Sequence, residues 1–281
     1  MIDIILCTYN SSDTIEQCIN SILNQTYEKF NLFVFDDCSA DDTVEKIKAF
    51  KDDRITIISS KKNIGTYAGK NFVLKNYCKS QYVALHDSDD YSHPERLAQQ
   101  LGFAVLSDSA CVGTAVNEFW EDHKPHTVSE TENNKNCRRN EYPKIIERDN
   151  LNKLLSSLSD NGNYEDYLKF KFCMNGTVLF NREVLMFLGG WDGNTRIAAD
   201  TDMFIRILGA HKIFNLPDVL YNRRFHSKSL TASNNVGINS EKRKKYNLER
   251  KSVIERSLMR EPVVREFYYP EFGYDIIKCA E

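Results

Sequence analysis

No run of this 281-residue chain approaches the length of a membrane span, and its start, Met1-Ile2-Asp3-Ile4-Ile5-Leu6, has neither a basic region nor a small-residue cleavage site. A cytoplasmic protein is therefore the expectation, with the inner face of the cell membrane as its outer limit. The eight cysteines contain no Cys-x-x-Cys pair, which disfavours a zinc site. Cys7, Cys78 and Cys173 lie in or beside apolar runs and read as small buried hydrophobes with free thiols. Basic and acidic residues nearly cancel, 37 against 40, and no basic stripe carries interleaved aromatics, so nucleic acid is excluded as a partner. Internal repeats and low-complexity segments are also missing.

What is present is an ordinary soluble composition, 41% hydrophobic and 27% charged, in a chain long enough to bury a large core. Short apolar runs alternate with helical spacings. Ile4 to Cys7 reads as a strand, and Ile15, Cys18, Ile19, Ile22 and Leu23 follow at the spacing of an amphipathic helix. Leu32 to Phe35 is a second strand followed by a helix through Val44, Ile47 and Phe50. Arg54 to Ile58 is a third, with Phe72, Leu74 and Tyr77 on its helix, and Tyr82 to Leu85 is a fourth. Such alternation calls for an α/β fold, a Rossmann-like, mostly parallel central sheet flanked by helices.

The fourth strand ends in Asp87-Ser88-Asp89-Asp90. Three carboxylates in four residues repel one another unless a cation or a well-solvated turn offsets them. His93-Pro94-Glu95-Arg96-Leu97 starts a helix just beyond, so the cluster lies past the carboxyl end of a strand, where open α/β sheets bind ligands. Hard oxygen ligands there suit Mg²⁺ or Mn²⁺ holding phosphate oxygens. Asp36 and Asp37 follow the second strand and belong on the same edge. Asp200 and Asp202 open a later helix, where a carboxylate can cap the helix or serve as a general base.

Further along, residues 121–143 form a polar stretch in which a lid or acceptor loop competes with a plain surface excursion. Leu151, Leu154, Leu155 and Leu158 mark a helix, and Met174 to Phe180 reads as a strand. From Glu241 to Met259 the chain reads as one basic helix, carrying Lys242, Arg243, Lys244, Lys245, Arg250, Lys251 and Arg256. A solvated face is its first reading; peripheral contact with an anionic membrane is the functional alternative.

Over residues 1–230 the chain resembles the family-two glycosyltransferases of the GT-A fold, mostly inverting enzymes that use nucleotide-diphospho-sugars. Cys7-Thr8-Tyr9-Asn10-Ser11 is similar to that family's opening motif, whose aromatic residue, here Tyr9, stacks near the base. Asp36-Asp37-Cys38-Ser39-Ala40-Asp41 resembles the second motif, which implies a base contact for Asp37 with Asp36 close by. Asn63-Ile64-Gly65 with Gly69-Lys70-Asn71 resembles the third, although the family more often has arginine where Lys70 stands.

Asp87-Ser88-Asp89-Asp90 looks like the metal motif, with Asp89 as direct ligand and Asp87 at the ribose or a metal-bound water. Ala199-Asp200-Thr201-Asp202 is similar to the motif that supplies the base, although the family usually has an acidic residue at the position of Ala199. The resemblance makes Asp200 the base and Asp202 the alternative. Gly190-Trp191-Asp192 resembles a turn at the acceptor site, and His226 falls where such enzymes bring a histidine toward the metal or diphosphate.

The implied organisation is a nucleotide-sugar-binding half over residues 1–120, an acceptor-binding half over 121–230, and a loop with a short helical tail over 231–281. The implied reaction moves a sugar, with Mn²⁺ or Mg²⁺ and with inversion, from a UDP-sugar or related donor to a hydroxyl of a glycan or glycolipid acceptor in surface polysaccharide synthesis. Two other readings are a silent sugar-nucleotide-binding module and a nucleotidyltransferase. Close carboxylates at 87, 89 and 200 disfavour the first. The second calls for a glycine-rich basic loop after the first strand, and Thr8 to Asp13 has neither glycine nor a basic residue.

Overall fold

In a computed structural model, residues 1–120, 137–140, 144–157, 172–226 and 240–279 of the chain are described. Most of the polar 121–143 stretch lies outside them, except a strand at 137–140. The four opening strands are β1 (Ile2–Thr8), β2 (Phe30–Asp36), β3 (Ile55–Ser60) and β4 (Tyr82–Asp87), and α1 (Ile15–Leu23), α2 (Thr43–Lys48) and α3 (Thr66–Asn76) connect them. After the short β5 (Tyr91–Ser92) come α4 (Arg96–Ser107), β6 (Cys111–Trp120), β7 (Cys137–Asn140), β8 (Ile145–Ile146) and α5 (Asn150–Ser157). The second half continues with β9 (Leu179–Asn181), α6 (Arg182–Leu188), α7 (Ala199–Leu208) and β10 (Ile213–Phe225). The tail holds α8 (Glu241–Glu249), α9 (Lys251–Leu258) and β11 (Tyr274–Lys278).

All strands join one sheet with the path β11-β3-β2-β1-β4-β9-β6-β10-β5. Pairing is parallel from β3 to β4 and between β6 and β10; β9 inserts antiparallel between β4 and β6. Strand alternation divides the core into two layers. Ile5, Phe33, Phe35, Val83 and Leu85 pack with α3, α7 and α9 on one face, through Val73, Phe204 and Ile254 among others. Ile4, Leu6, Leu32, Val34 and Ala84 pack with α1, α2 and α4 on the other, through Ile19, Ile47 and Leu97. The register sets the functional edge: Thr8 pairs with Asp36, and Cys7 with Asp87, so three chain segments end side by side.

Three expectations need correction. Met174 to Phe180 is a strand only from Leu179; Asn175–Thr177 is a 3-10 turn. The basic 241–259 helix is two helices meeting at Arg250. The tail is not helical alone, because β11 returns to pair antiparallel with β3 and forms the sheet edge. Among the described residues, no helix is long and apolar enough to cross a membrane.

Candidate active site

Asp36, at the end of β2, is buried and accepts hydrogen bonds from the Ser39 N–H (3.3 Å) and the Ser59 hydroxyl (3.1 Å). Asp37 accepts from the N–H groups of Ile64 (2.6 Å) and Gly65 (2.9 Å), fixing the turn into α3. Burial raises the pKa of both carboxyls, against these hydrogen bonds. Asn63 receives the Arg196 guanidinium on its side-chain oxygen at 2.6 Å, and Asn10 closes the opposite wall by accepting the Ala40 N–H at 2.8 Å. Tyr9 stands 53% exposed, while the Thr8 hydroxyl is buried with no hydrogen-bond partner among the described residues.

The carboxylates at the end of β4 are not equivalent. Asp90 is buried and accepts the Arg224 N–H at 2.7 Å; burial first, then Asp89 and Asp87, push its pKa far up. Asp87 and Asp89 keep about a third of their side chains open, at 34% and 32%. Burial raises the Asp87 pKa, Lys70 at 4.0 Å opposes it, and Asp89, then Asp200, add to the rise. Asp89 accepts from or is faced by His226 Nε2 at 3.0 Å, and Ser88 Oγ pairs with Ser11 Oγ at 2.9 Å. Gly176 has to be glycine here, because a Cβ would lie 2.7 Å from Asp87 Oδ2 and 2.5 Å from the Tyr221 hydroxyl.

Among the described residues no three His, Cys, Asp or Glu groups converge to enclose a metal. The open oxygens of Asp87 and Asp89 nevertheless fit a hard divalent cation that takes its remaining ligands from phosphates and water. Their mutual repulsion is what such a cation relieves.

Across the cleft, Asp200 is partly buried in the first turn of α7. Its Oδ1 accepts from the Tyr67 hydroxyl (3.3 Å) and the Thr201 N–H (2.9 Å), whereas Oδ2 has no hydrogen bond among the described residues. One oriented carboxylate with one free oxygen can accept a proton from an incoming hydroxyl.

Other sequence-derived residues are structural. Asp202 is fully buried, bound by Arg206 Nε at 2.8 Å and by Nε and Nη2 of Arg265 at 3.0 and 2.8 Å, so both of its oxygens are engaged by guanidiniums. Trp191 and Asn71 are likewise fully buried and exchange two 2.8 Å hydrogen bonds through the Trp191 backbone, which gives both a structural role in joining α3 to the turn at Trp191. Asp192 holds the Tyr246 hydroxyl at 3.0 Å and Arg265 at 3.4 Å.

Sequence reading missed Tyr67, Tyr221, Arg196 and Arg224. The Arg224 guanidinium donates to the Asp89 carbonyl at 2.9 Å, and the Tyr221 hydroxyl accepts the Asp87 N–H at 3.1 Å. The buried ion pair of Asp202 with Arg206, by contrast, matches an i,i+4 spacing that the sequence displays.

The sequence model described as glycosyl transferase family 2 matches residues 3–188, well over half of the chain. Among relatives, the UDP-Glc:alpha-D-GlcNAc-diphosphoundecaprenol beta-1,3-glucosyltransferase WfaP of Escherichia coli is 37% identical over 103 residues, covering 37% of this chain and 41% of that protein. The chain thus spans less than half the length of that relative. The O-antigen biosynthesis glycosyltransferase WbnJ of Escherichia coli is 28% identical over 242 residues, 83% of each chain. Among solved structures, S. aureus TarS 1-349 in complex with UDP aligns with TM-score 0.57 at 19% identity, over 80% of this chain and 61% of that one. The mannosyltransferase PcManGT from Pyrobaculum calidifontis, in complex with GDP-Man and Mn²⁺, aligns with TM-score 0.55 at 17% identity, over 81% of this chain and 58% of that one. At these identities the likeness is one of fold, and it matches the GT-A arrangement expected from the sequence.

Proposed function

The chain belongs to glycosyl transferase family 2, and from that premise we propose that it is an inverting, metal-dependent transferase that moves a sugar from a nucleoside-diphosphate donor, UDP-linked, to a hydroxyl of a surface-glycan or glycolipid acceptor. The observation that carries this reading is the pairing of two open carboxylates, Asp87 and Asp89, with the singly engaged Asp200 across the same cleft. Relatives that act in O-antigen and diphosphoundecaprenol-linked glycan synthesis support the acceptor class.

In this reading Tyr9 stacks on the base and Thr8 and Asp36 bond the nucleoside, with Asp37 holding the wall against which it sits. Asp87 and Asp89 would hold a divalent cation, which when bound would stabilise charge on the leaving group. Lys70 and His226 line the phosphates of the donor. Asp200 Oδ2 takes the proton from the acceptor hydroxyl while that oxygen bonds to the anomeric carbon. The bond from that carbon to the β-phosphate oxygen breaks, and its electron pair leaves with the nucleoside diphosphate. Attack opposite the leaving group inverts the anomeric carbon.

The test is thermal stabilisation of the purified protein by UDP, GDP and CMP, each with and without Mn²⁺. The proposal expects a UDP shift that requires metal and is lost in Asp89→Ala. A protein that no nucleotide stabilises in the presence of metal contradicts it and favours the silent-module reading.

A further inference from the structure

Strand β9 runs antiparallel to both β4 and β6, and β10 runs parallel to β6, so the carboxyl ends of β1, β2, β4, β6 and β10 share one edge of the sheet. That edge is where open α/β sheets bind ligands. Asp87 closes β4 there, Trp120 closes β6 and Phe225 closes β10. In sheet order β1 and β2, with Tyr9 just past the one and Asp36 ending the other, lie on one side of β4, and β6 and β10 lie on the other.

Trp120 and Phe225 are partners in the β6–β10 register, and their rings stack at 5.3 Å with planes 18° apart. Phe225 also carries the Arg223 guanidinium, 4.6 Å from its centroid, and Arg223 is tied to Glu118 at 3.4 Å. Strand alternation puts Tyr221, Arg223 and Phe225 on one face of β10. The Tyr221 hydroxyl accepts the Asp87 N–H at 3.1 Å, so this is the face turned toward Asp87. Arg224, one residue out of step, reaches Gln17 of α1 at 2.6 Å on the opposite face. His226 follows Phe225 directly, and its Nε2 stands 3.0 Å from Asp89.

Although stacked, Trp120 is 44% exposed. A flat ring backed by a second ring and rimmed by Arg223 and Glu118 matches a pyranose, which has an apolar C–H face and a polar edge; an alkyl chain calls for a continuous apolar groove.

Resting on the transferase reading, we infer that Trp120, backed by Phe225, is a stacking platform for a sugar ring of the acceptor. The nucleoside end of the cleft lies across β4, over β1 and β2, so a ring on Trp120 belongs to the acceptor. Recognition there works through ring stacking and uses no charge on the acceptor. It holds the glycan on the far side of Asp87 from the nucleotide.

The chain has two tryptophans and Trp191 is fully buried, so a ligand-induced change in emission reports Trp120. The experiment uses the full chain saturated with UDP and Mn²⁺. Methyl β-glucoside, methyl β-galactoside and methyl N-acetyl-β-glucosaminide are titrated into it, with 1-hexanol as the sugar-free apolar control. Calorimetry gives the affinities, and tryptophan emission is read alongside. At least one glycoside is expected to bind and to shift the emission, and hexanol is expected to do neither. Trp120→Ala should weaken that glycoside by about two- to tenfold, the worth of an aromatic contact, and Trp120→Phe should keep part of the affinity. Both variants should hold the metal-dependent thermal shifts with UDP and UDP-glucose at the wild-type level.

The inference is overturned if no glycoside binds while the UDP shift is intact, if binding leaves the emission or the Trp120→Ala affinity unchanged, or if hexanol shifts the emission equally. Loss of either nucleotide shift in Trp120→Ala also overturns it, by moving the ring to the donor. A wild-type protein with no UDP shift at all would instead remove the transferase reading on which the inference rests.

Discussion

At the scale of the residue, two aspartates two positions apart are separated by their partners. Asp200 keeps one oxygen unbonded, so Asp200→Asn should lower turnover by at least about 10²-fold, the usual worth of a general base, and leave donor binding intact. Steady-state rates alongside UDP titration check this. Asp202 is a buried anion between Arg206 and Arg265. Burial pushes its pKa up, but the two guanidiniums outweigh that and hold it below the usual carboxylate value. Burial pulls Arg206 down in turn, yet its bonds to Asp202 and to the Leu188 and Gly190 carbonyls keep it a cation.

Removing one partner of such a pair strands the other, and Asp202→Asn should cost about 3–5 kcal/mol in a denaturant melt. The pH dependence follows from the sign of the shift. A carboxyl whose folded pKa is depressed stabilises fully above its unfolded pKa, near 3.8, and that contribution disappears as pH falls through the lower folded value. The wild-type protein should therefore lose stability more steeply than Asp202→Asn below about pH 4. Gly176→Ala is a third residue-scale case: its methyl would press Asp87 Oδ2, and the metal-dependent UDP shift should fall although the overall fold survives.

At the scale of the element, the strands and helices from β1 to α4 were legible because each buried strand is a short apolar run closed by polar turn residues. The carboxyl-end positions Thr8, Asp36 and Asp87 follow from that order alone. Residue type could not say which conspicuous side chains face the cleft. Trp191 and Asn71 look like contacts and are instead a buried clasp between α3 and the turn after α6.

The same turn explains the two glycines. Gly189 (φ +77°) ends α6, and a Cβ there would fall 1.6 Å from the Arg265 carbonyl oxygen, while one on Gly190 (φ +69°) would fall 2.2 Å from Asn71 Oδ1. Gly189→Ala should thus lift the Arg265 segment off α6, costing more than about 1 kcal/mol. Hydrogen exchange should speed at the Arg265 N–H, which now donates to Leu188 at 3.0 Å.

At the scale of the whole molecule, the tail is a fastening rather than an appendage. Val253, Ile254 and Val263 complete one core layer, and Tyr269, Phe272 and Tyr274 surround Phe72 at ring separations of 5.2, 4.8 and 5.0 Å. Beyond them β11 covers the edge of β3. None of this was legible in sequence, because Tyr274-Asp275-Ile276-Ile277-Lys278 alternates too weakly to declare a strand and its partner lies over two hundred residues away. Deleting residues 260–281 should expose Phe72 and the β3 edge, lowering both the melting temperature and the soluble yield through edge pairing between chains.

The basic helices α8 and α9 fit the same picture. Tyr246, Asn247, Arg250, Val253 and Ile254 are buried against the domain, which leaves Lys242, Lys245, Lys251 and Arg256 outward. The charge run is thus half anchor and half solvated face.

The most direct test of the account is turnover of the UDP-sugar donor by Asp200→Asn and Asp202→Asn, each compared at matched, folded protein concentration. The account predicts that Asp200→Asn loses at least about 10²-fold in turnover while its metal-dependent affinity for UDP stays at the wild-type level, and that the folded fraction of Asp202→Asn stays active. Near-normal turnover in Asp200→Asn together with its abolition in folded Asp202→Asn would contradict the assignment of the base.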